Sequence, residues 1–357
     1  MARADTSVAN AQVVTARALP NPSVSASYSK SVPKYHFIVD VPIDFPWLRQ
    51  LRIRSAEVGL RAAELRYQFA RATVALDADT TYTRAVAARE RLALSRRTAL
   101  DADSLLHMAE RRLEAGDASV MDVELARVVA GQQANVVIAD SLMLTSSLLD
   151  LQAVMGVRSE ALEVSVSDSL GAPPPALEPG KTLNEVAAGL SVESATLSSR
   201  LQRRSVWSLP SVSFGLEGGD PDVHGLLPTF GVGIGLPLFD MNRGPRAQAD
   251  AERARATAEL TLAEVEARNQ IARAKRQREA ALARIARHRE LITSANRVAA
   301  LSLTAYREGA STLPIVIESQ RSARELLAQF IDDLANAWIA TAELRALAVS
   351  QTQTPDP

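Results

Sequence analysis

Side chains of the kinds that carry out chemistry are few in this sequence and are not spaced for it. The chain has no cysteine, which excludes disulfide frameworks, thiolate metal sites and cysteine nucleophiles. No pair of histidines has the spacing of metal ligands; the four are His36, His107, His224 and His288. Asp101 and Asp103 share a helical neighbourhood with His107, a pattern typical of a solvated helix face. We therefore expect no catalytic residue, no bound metal and no cofactor.

A glycine series at Gly231, Gly233 and Gly235 is the one pattern that could suggest a nucleotide site. A phosphate cradle needs a strand, a tight glycine turn and then the N-terminus of a helix. Here the glycines alternate with large apolar residues, which indicates the interior of a strand. Nucleic acid is an equally poor fit, because 40 Lys and Arg residues against 41 Asp and Glu residues leave no basic excess.

Nine of the fifteen aromatic residues fall in two windows, 28–47 and 207–239, where apolar residues recur with a period of two. This period predicts β-hairpins at 22–44 and 210–238. Small residues on one strand face and bulky ones on the other are typical of a membrane barrel, although a soluble sandwich has a similar alternation. We expect the bulky face to contact lipid through Val24, Tyr28, Phe37, Val39, Phe214, Phe230, Val232 and Ile234.

A very long helical pattern follows each hairpin. Residues 48–111 contain no proline and a single glycine, and residues 246–307 contain neither. At 1.5 Å per residue, about 60 residues of helix span roughly 90 Å, which is more than a globular domain needs. We therefore predict, in each half, a short helix, the hairpin, a long helix (48–111 and 244–307), a glycine-containing tip (112–120 and 308–314) and a return helix that ends near residue 155 or 348.

The two halves are an internal duplication. The letters PSVS occur at 22–25 and again at 210–213, AEL occurs at 63–65 and 258–260, and the tip glycines are Gly116 and Gly309. The offsets are 188, 195 and 193 residues, and the elements keep the same order. We expect a first repeat at 1–158, a proline-rich equatorial connector at 159–181, a second repeat at 182–350 and a disordered tail at 351–357.

The sequence has no window of about 18 consecutive apolar residues, so no membrane-spanning helix is expected. Two short hairpins cannot close a barrel within one chain, and open sheet edges are not tolerated in a bilayer. Three chains of four strands each would give a closed 12-stranded barrel. The predicted fold is therefore mainly α: tandem long helical hairpins form a trimeric α-barrel, and two β-hairpins per chain contribute to a shared outer-membrane β-barrel.

The motifs resemble those of the outer-membrane efflux protein family typified by TolC, over about residues 8–348. The resemblance is carried by LPNPSVS at 19–25, LPSVS at 209–213, LPLFD at 236–240, and the tips RLEAG at 112–116 and YREG at 306–309. It implies a homotrimeric exit duct of a tripartite efflux or type I secretion system, in the outer membrane and extending into the periplasm. It also implies a periplasmic membrane-fusion (adaptor) protein, an inner-membrane pump of RND or ABC type, and no catalysis.

The resemblance also implies roles for individual residues. The adaptor would dock on the tips through Arg112, Leu113, Ala115, Gly116, Arg307, Glu308, Gly309 and Ala310. A periplasmic gate would include a hydrogen bond between Asp122 and Tyr306, together with the acidic residue Glu318. Ile315 stands at one place where the family has an acid, and Ser311 stands where it has a base. The Asn-Pro entry to the first hairpin is similar to the branch paired with heavy-metal or drug RND pumps.

A soluble coiled-coil scaffold or adaptor protein with small capping β-hairpins is the alternative. Clustered aromatic residues beside short alternating strands favour the channel, because aromatic side chains are favourable at a bilayer interface and bring no such advantage to a soluble rod. Residues 1–7 lack the apolar core of a secretion signal. We therefore expect any signal peptide or lipidated cysteine of the native protein to lie upstream of Met1.

Overall fold

The structure is a computed structural model that describes residues 2–159, 161–206, 209–222 and 225–349. His224, Trp207 and the tail predicted at 351–357 lie outside these residues. Within them the elements follow in this order: α1 Ala2–Arg17, β1 Ser23–Tyr28, β2 Tyr35–Pro42, α2 Pro46–Glu114, α3 Val120–Val154, α4 Leu183–Arg204, β3 Ser211–Gly218, β4 Leu227–Gly233, α5 Arg243–Arg307 and α6 Leu313–Leu347.

The two longest helices, α2 and α5, have 69 and 65 residues. Pro46 is the first residue of α2 and Pro245 lies in the first turn of α5. The missing proline N–H has no helical partner at these positions in any case, so proline is tolerated there. Because neither helix contains a proline beyond its first turn, nothing in the backbone chemistry interrupts them.

The four strands form one antiparallel sheet in the order β1-β2-β3-β4. The register pairs Val24 with Val39, Val39 with Phe214, and Phe214 with Phe230. Residues that lie opposite each other in antiparallel strands point to the same face. The residues predicted to contact lipid that lie in the strands therefore share one face of the sheet, and Ile234 follows the last residue of β4.

The apolar face of the sheet is exposed in the single chain. Phe230 and Val232 keep 74% and 72% of their surface accessible. The opposite face is polar: His36 Nδ1 lies 3.3 Å from Glu217 Oε1, and Ser213 Oγ donates to Asp40 Oδ1 at 2.5 Å. Most bulky apolar residues of the strands thus lie on one side, and the other side carries small and hydrogen-bonded polar residues together with Ile38 and Leu227.

The chain divides into two compact units, and each contains parts of both sequence repeats. Among the described residues, the first unit consists of 2–70, 181–206, 209–222 and 225–267, and the second of 71–159, 161–180 and 268–349. In the first unit, α2 and α4 approach closely at small residues. Ser55 Oγ donates to the Ser194 carbonyl at 3.0 Å, and Ser194 Oγ donates to the Ser55 carbonyl at 2.8 Å.

The second unit contains the helix tips, and polar contacts join its helices in a series. Arg91 on α2 donates to both carboxylate oxygens of Asp332 on α6 at 2.8 Å. On α6, the buried Asp333 accepts a 2.7 Å hydrogen bond from Arg284 of α5 and lies 3.2 Å from His288. An apolar cluster packs Ala85 of α2 against α3. Thus α2 contacts α3 and α6, and α6 contacts α5.

Helix α3 is apolar enough to cross a membrane by length and composition alone. Its most apolar 18-residue window has a mean hydropathy of 1.3, and 6% of that window is buried. Polar residues interrupt the helix, among them Gln133, Asn135 and Asp140. Large apolar side chains remain exposed beside them, such as Ile138 at 67% and Leu142 at 69%. An exposed apolar face of this kind is what an interface with another chain requires.

Candidate functional site

The candidate site is the pair of helix tips at one end of the second unit. Among the residues that the structure describes, no group of three or more His, Asp and Glu side chains is placed to hold a metal ion. The tips instead combine backbone turns, a capping pair of side chains, and a buried tyrosine beside an arginine. Such an arrangement is suited to contact with another macromolecule and to mechanical coupling between helices.

The first tip is a glycine turn that ends α2. Gly116 has φ of +83°, a conformation that glycine adopts without steric cost. Its N–H donates to the Leu113 carbonyl at 3.0 Å, and the Asp117 N–H donates to the Arg112 carbonyl at 2.8 Å. These bonds satisfy carbonyls that the end of the helix leaves free, as in a Schellman motif.

The second tip repeats this backbone geometry at an offset of 193 residues. Gly309 has φ of +76°. Its N–H donates to the Tyr306 carbonyl at 3.1 Å, and the Ala310 N–H donates to the Ala305 carbonyl at 2.8 Å. The duplication therefore preserves the turn, including its hydrogen bonds.

Most residues predicted to dock an adaptor are exposed. Six of the eight are open to solvent, namely Ala115, Gly116, Arg307, Glu308, Gly309 and Ala310. The other two, Arg112 and Leu113, are half-buried. Leu113 packs against the apolar cluster of the tip, which joins residues from α2, α3, α5 and α6. The side chains of Arg112 and Leu113 thus face the inside of the tip.

Asp122 is part of the cap at the N-terminus of α3. Ser119 is the N-cap residue, and its N–H and hydroxyl donate to Asp122 Oδ2 at 3.0 and 2.8 Å. In return, the Asp122 N–H donates to Ser119 Oγ at 3.2 Å. This is a capping box, which satisfies backbone donors at the start of a helix. This capping box was not predicted from the sequence, although a serine followed three residues later by an acid is its usual signal.

Tyr306 lies inside the tip, and its surface is 4% exposed. It packs in the apolar cluster with Leu105, Val123 and Val316. Its hydroxyl has no hydrogen-bond partner among the described residues. Burial raises the pKa of this hydroxyl, Arg112 opposes that shift, and Asp122 adds to it. The hydrogen bond that the resemblance implies between Asp122 and Tyr306 is therefore not made in the structure.

Arg112 makes the polar contact to Tyr306 instead. Its guanidinium carbon lies 4.6 Å from the centre of the Tyr306 ring, and Nη1 donates to the Tyr306 carbonyl. Nη2 donates to the Asp117 carbonyl at 3.3 Å. Arg112 is one of the residues predicted to dock the adaptor, and its pairing with Tyr306 was not predicted. No local pattern signals it, because 194 residues separate the partners.

Two comparisons connect this architecture to known proteins. The family model of the outer membrane efflux protein matches residues 1–157 and 186–348, one segment in each repeat. The chain belongs to the outer membrane efflux protein family. No protein in the curated set of characterised sequences matches it.

Solved structures of similar fold cover nearly the whole of this family member. A membrane protein from Pseudomonas aeruginosa has a TM-score of 0.81 at 20% identity, covering 97% of this chain and 89% of that one. The outer membrane protein VceC from Vibrio cholerae has a TM-score of 0.77 at 18% identity, with 98% and 92% covered. The CmeC outer membrane channel of Campylobacter jejuni has a TM-score of 0.77 at 16% identity, with 99% and 83% covered.

The family and the fold confirm the main sequence predictions. The chain is a largely helical efflux protein of the outer membrane that serves as an exit duct, and its fold is that of the TolC-like channels. Nothing in either comparison supports the soluble scaffold. The family is one of transport channels rather than enzymes.

Glu318, the acidic residue predicted at the gate of this efflux protein, carries its own counter-ion. Arg321 donates to its two carboxylate oxygens at 2.9 and 3.0 Å. These hydrogen bonds lower the pKa of Glu318, so it is ionised at neutral pH. Both side chains are exposed, and Arg321 also lies 3.5 Å from Glu325. The acid is therefore part of a mixed-charge cluster on α6.

Proposed function

We propose that this efflux protein works as a homotrimer whose tips dock a periplasmic membrane-fusion protein, and that an inner-membrane pump of RND or ABC type drives substrates into it. The substrates then leave through a 12-stranded barrel in contact with outer-membrane lipid. Asp122, Tyr306 and Glu318 would belong to the gate at the periplasmic entrance.

The one-sided sheet is the observation that carries the proposal. A four-stranded sheet with its apolar face exposed leaves the outer edges of β1 and β4 unpaired. Neither feature is stable in a bilayer unless the edges pair with strands from other copies and the apolar face meets lipid. Three copies give twelve strands, an even number within the range of bacterial barrels.

The helices of the second unit support assembly of copies in a ring. In residues 268–307 of α5, ten basic residues stand against two glutamates, whereas α3 has four acidic residues against one arginine. Both helices expose apolar side chains, such as Leu142 on α3 and Val298 and Leu301 on α5. An acidic apolar face complements a basic apolar face of the next copy. A contact between two different faces of this kind forms a ring when the rotation from copy to copy closes, as the shared barrel requires.

A substitution on α3 tests the trimer. Leu142 is 69% exposed in the single chain, so Leu142→Asp leaves the folding of one chain nearly unchanged. Against a partner helix it removes about 2 kcal/mol of apolar burial per interface and introduces a charge. We expect wild-type protein in detergent to have the mass of a trimer by native mass spectrometry, and the variant to dissociate.

The matched control is Leu100→Asp, because Leu100 on α2 has a similar exposure of 67%. α2 packs against α3 and α6 of its own chain, so we expect the control to remain trimeric. A monomeric wild-type protein, or equal dissociation of the two variants, would count against pairing of copies through α3.

A further inference from the structure

We infer that Arg112 is a tie between the two tips of one chain, and that the tie must break when the periplasmic entrance widens. This reading removes Arg112 from the adaptor-docking residues and gives it a positioning role. It rests on the proposed function, because it assumes that the tips border the entrance of the duct.

Arg112 connects three parts of the tip region. It projects from the last turn of α2 and places its guanidinium carbon 4.6 Å from the centre of the Tyr306 ring in the last turn of α5. Nη1 donates to the Tyr306 carbonyl, and Nη2 donates to the Asp117 carbonyl in the first tip. The same nitrogen lies near Gly309, 3.7 Å from where a Cβ would stand.

The surroundings make these contacts stronger than surface contacts of the same type. The Tyr306 ring is buried, and a cation over a buried aromatic ring is held more tightly than one in water. The Tyr306 carbonyl belongs to the end of α5, where the helix dipole places partial negative charge that favours a cation. An arginine also presents its donors in a fixed fork, so it can donate to two carbonyls with little further loss of side-chain entropy.

The tie spans the two helical hairpins rather than the two arms of one hairpin. Arg112 belongs to α2 of the first repeat, and Tyr306 belongs to α5 of the second. The structure describes all of residues 112–122 and 305–318, and in these segments no other side chain forms a hydrogen bond from one tip to the other. Any motion that separates the tips must therefore remove the guanidinium from the Tyr306 ring and carbonyl.

Substitutions can separate this tie from a latch that uses the tyrosine hydroxyl. Tyr306→Phe removes the hydroxyl, which has no hydrogen-bond partner among the described residues, and keeps both the ring and the carbonyl. Arg112→Met keeps an unbranched apolar stem and removes the guanidinium. Arg112→Lys keeps the charge and loses the fork. The tie predicts that only the arginine variants weaken the closed tip, and that Lys is intermediate.

The experiment measures single-channel conductance of the full-length protein in planar bilayers in KCl. We expect Arg112→Met to increase the open fraction on the order of tenfold, Arg112→Lys less, and Tyr306→Phe not at all. Arg111→Met is the matched control: Arg111 precedes Arg112 and is exposed, and within the described part of the chain its side chain donates only to the His107 carbonyl of its own helix, at 3.4 Å. We expect the control to behave as the wild type.

Two results would overturn the tie. One is an open fraction of Arg112→Met equal to that of the wild type; the other is an increase in Tyr306→Phe as large as in Arg112→Met, which would assign the closure to the hydroxyl. A wild-type protein that forms no channel would contradict the proposed function instead. In that case a double-mutant cycle of Arg112→Met and Tyr306→Ala in thermal unfolding still measures the tie, and additive effects would disprove it.

Discussion

The two tips of this efflux protein have the same backbone and different side chains. Each ends its helix with a glycine at positive φ and the same two backbone hydrogen bonds, 193 residues apart. The helices that follow begin differently. Ser119 and Asp122 form a capping box at the start of α3, whereas Thr312 makes no side-chain hydrogen bond at the start of α6. Ile315, which occupies the position of Asp122, is 56% exposed.

This difference shows which features the turn itself requires. The glycine and its backbone bonds are present in both copies, so the turn depends on them. The capping side chains are present in one copy only, so the fold tolerates their loss. In the second tip Pro314 stands in the first turn and Leu313 is 1% exposed, so a fixed φ and apolar burial begin α6 instead.

The tie between the tips also lacks a counterpart in the other repeat. The counterpart of Arg112 in the second repeat is Ala305, and the counterpart of Tyr306 in the first repeat is Leu113. A reciprocal contact from the second tip to the first therefore has neither the cation nor the ring. Divergence after duplication has placed one half of a contact in each repeat, where the fold brings the halves together.

The largest expected effect comes from blocking each tip in turn. We expect Gly116→Trp and Gly309→Trp each to abolish docking of the membrane-fusion protein, because both glycines are exposed at the ends of the tips. The measurement is the yield of a crosslink formed in cells by a photoreactive amino acid at Ala310 and identified by mass spectrometry. If only one variant loses the crosslink, the two tips are not equivalent in docking.

Alanine variants provide the control for backbone strain. Gly116→Ala and Gly309→Ala place an L-residue at positive φ, which costs about 1 kcal/mol each, and they add little bulk. We expect equal small decreases in Tm and an unchanged crosslink yield. Loss of the crosslink in the alanine variants would show that the Trp effect reflects a damaged turn rather than a blocked surface.

Much of the fold is readable from the sequence because its elements are long and strongly periodic. The sequence predicts long helices at 48–111 and 244–307, and the structure has Pro46–Glu114 and Arg243–Arg307. The alternation in the strands also predicts which residues share a face, since a period of two is a direct consequence of strand geometry. The glycine tips can also be predicted from the sequence, because few residues other than glycine adopt positive φ.

Contacts between distant segments could not be predicted from the sequence. Arg112 and Tyr306 are 194 residues apart, and no local pattern relates them. The resemblance implies that Asp122 pairs with Tyr306. In the structure the Asp122 carboxylate accepts from Ser119 instead, which is nearer in the sequence. The division into compact units could not be deduced from the repeats either, since each unit takes residues from both.

A smaller effect follows from removing the capping box. Ser119→Ala deletes the hydroxyl that accepts from the Asp122 N–H and should cost about 1 kcal/mol of stability. The matched control is Thr312→Ala, whose side chain makes no capping bond and whose loss should have little effect. Thermal unfolding in detergent measures both. Equal decreases in Tm would mean that the two helix starts are not distinguished by their side-chain caps.

The smallest effect should come from giving the second tip the side chain of the first. Ile315→Asp places a carboxylate three residues after Thr312, where it can accept from the Thr312 N–H and interact with the positive end of α6. We expect a gain of about 0.5 kcal/mol, because Ile315 is largely exposed and loses little burial. Ile315→Asn separates the hydrogen bond from the charge, whose share should decline in high salt. A lower Tm for both variants would show that Ile315 stabilises the second tip through packing. The start of α6 would then depend on apolar contacts where the start of α3 depends on capping side chains, and it would not simply lack a capping pair.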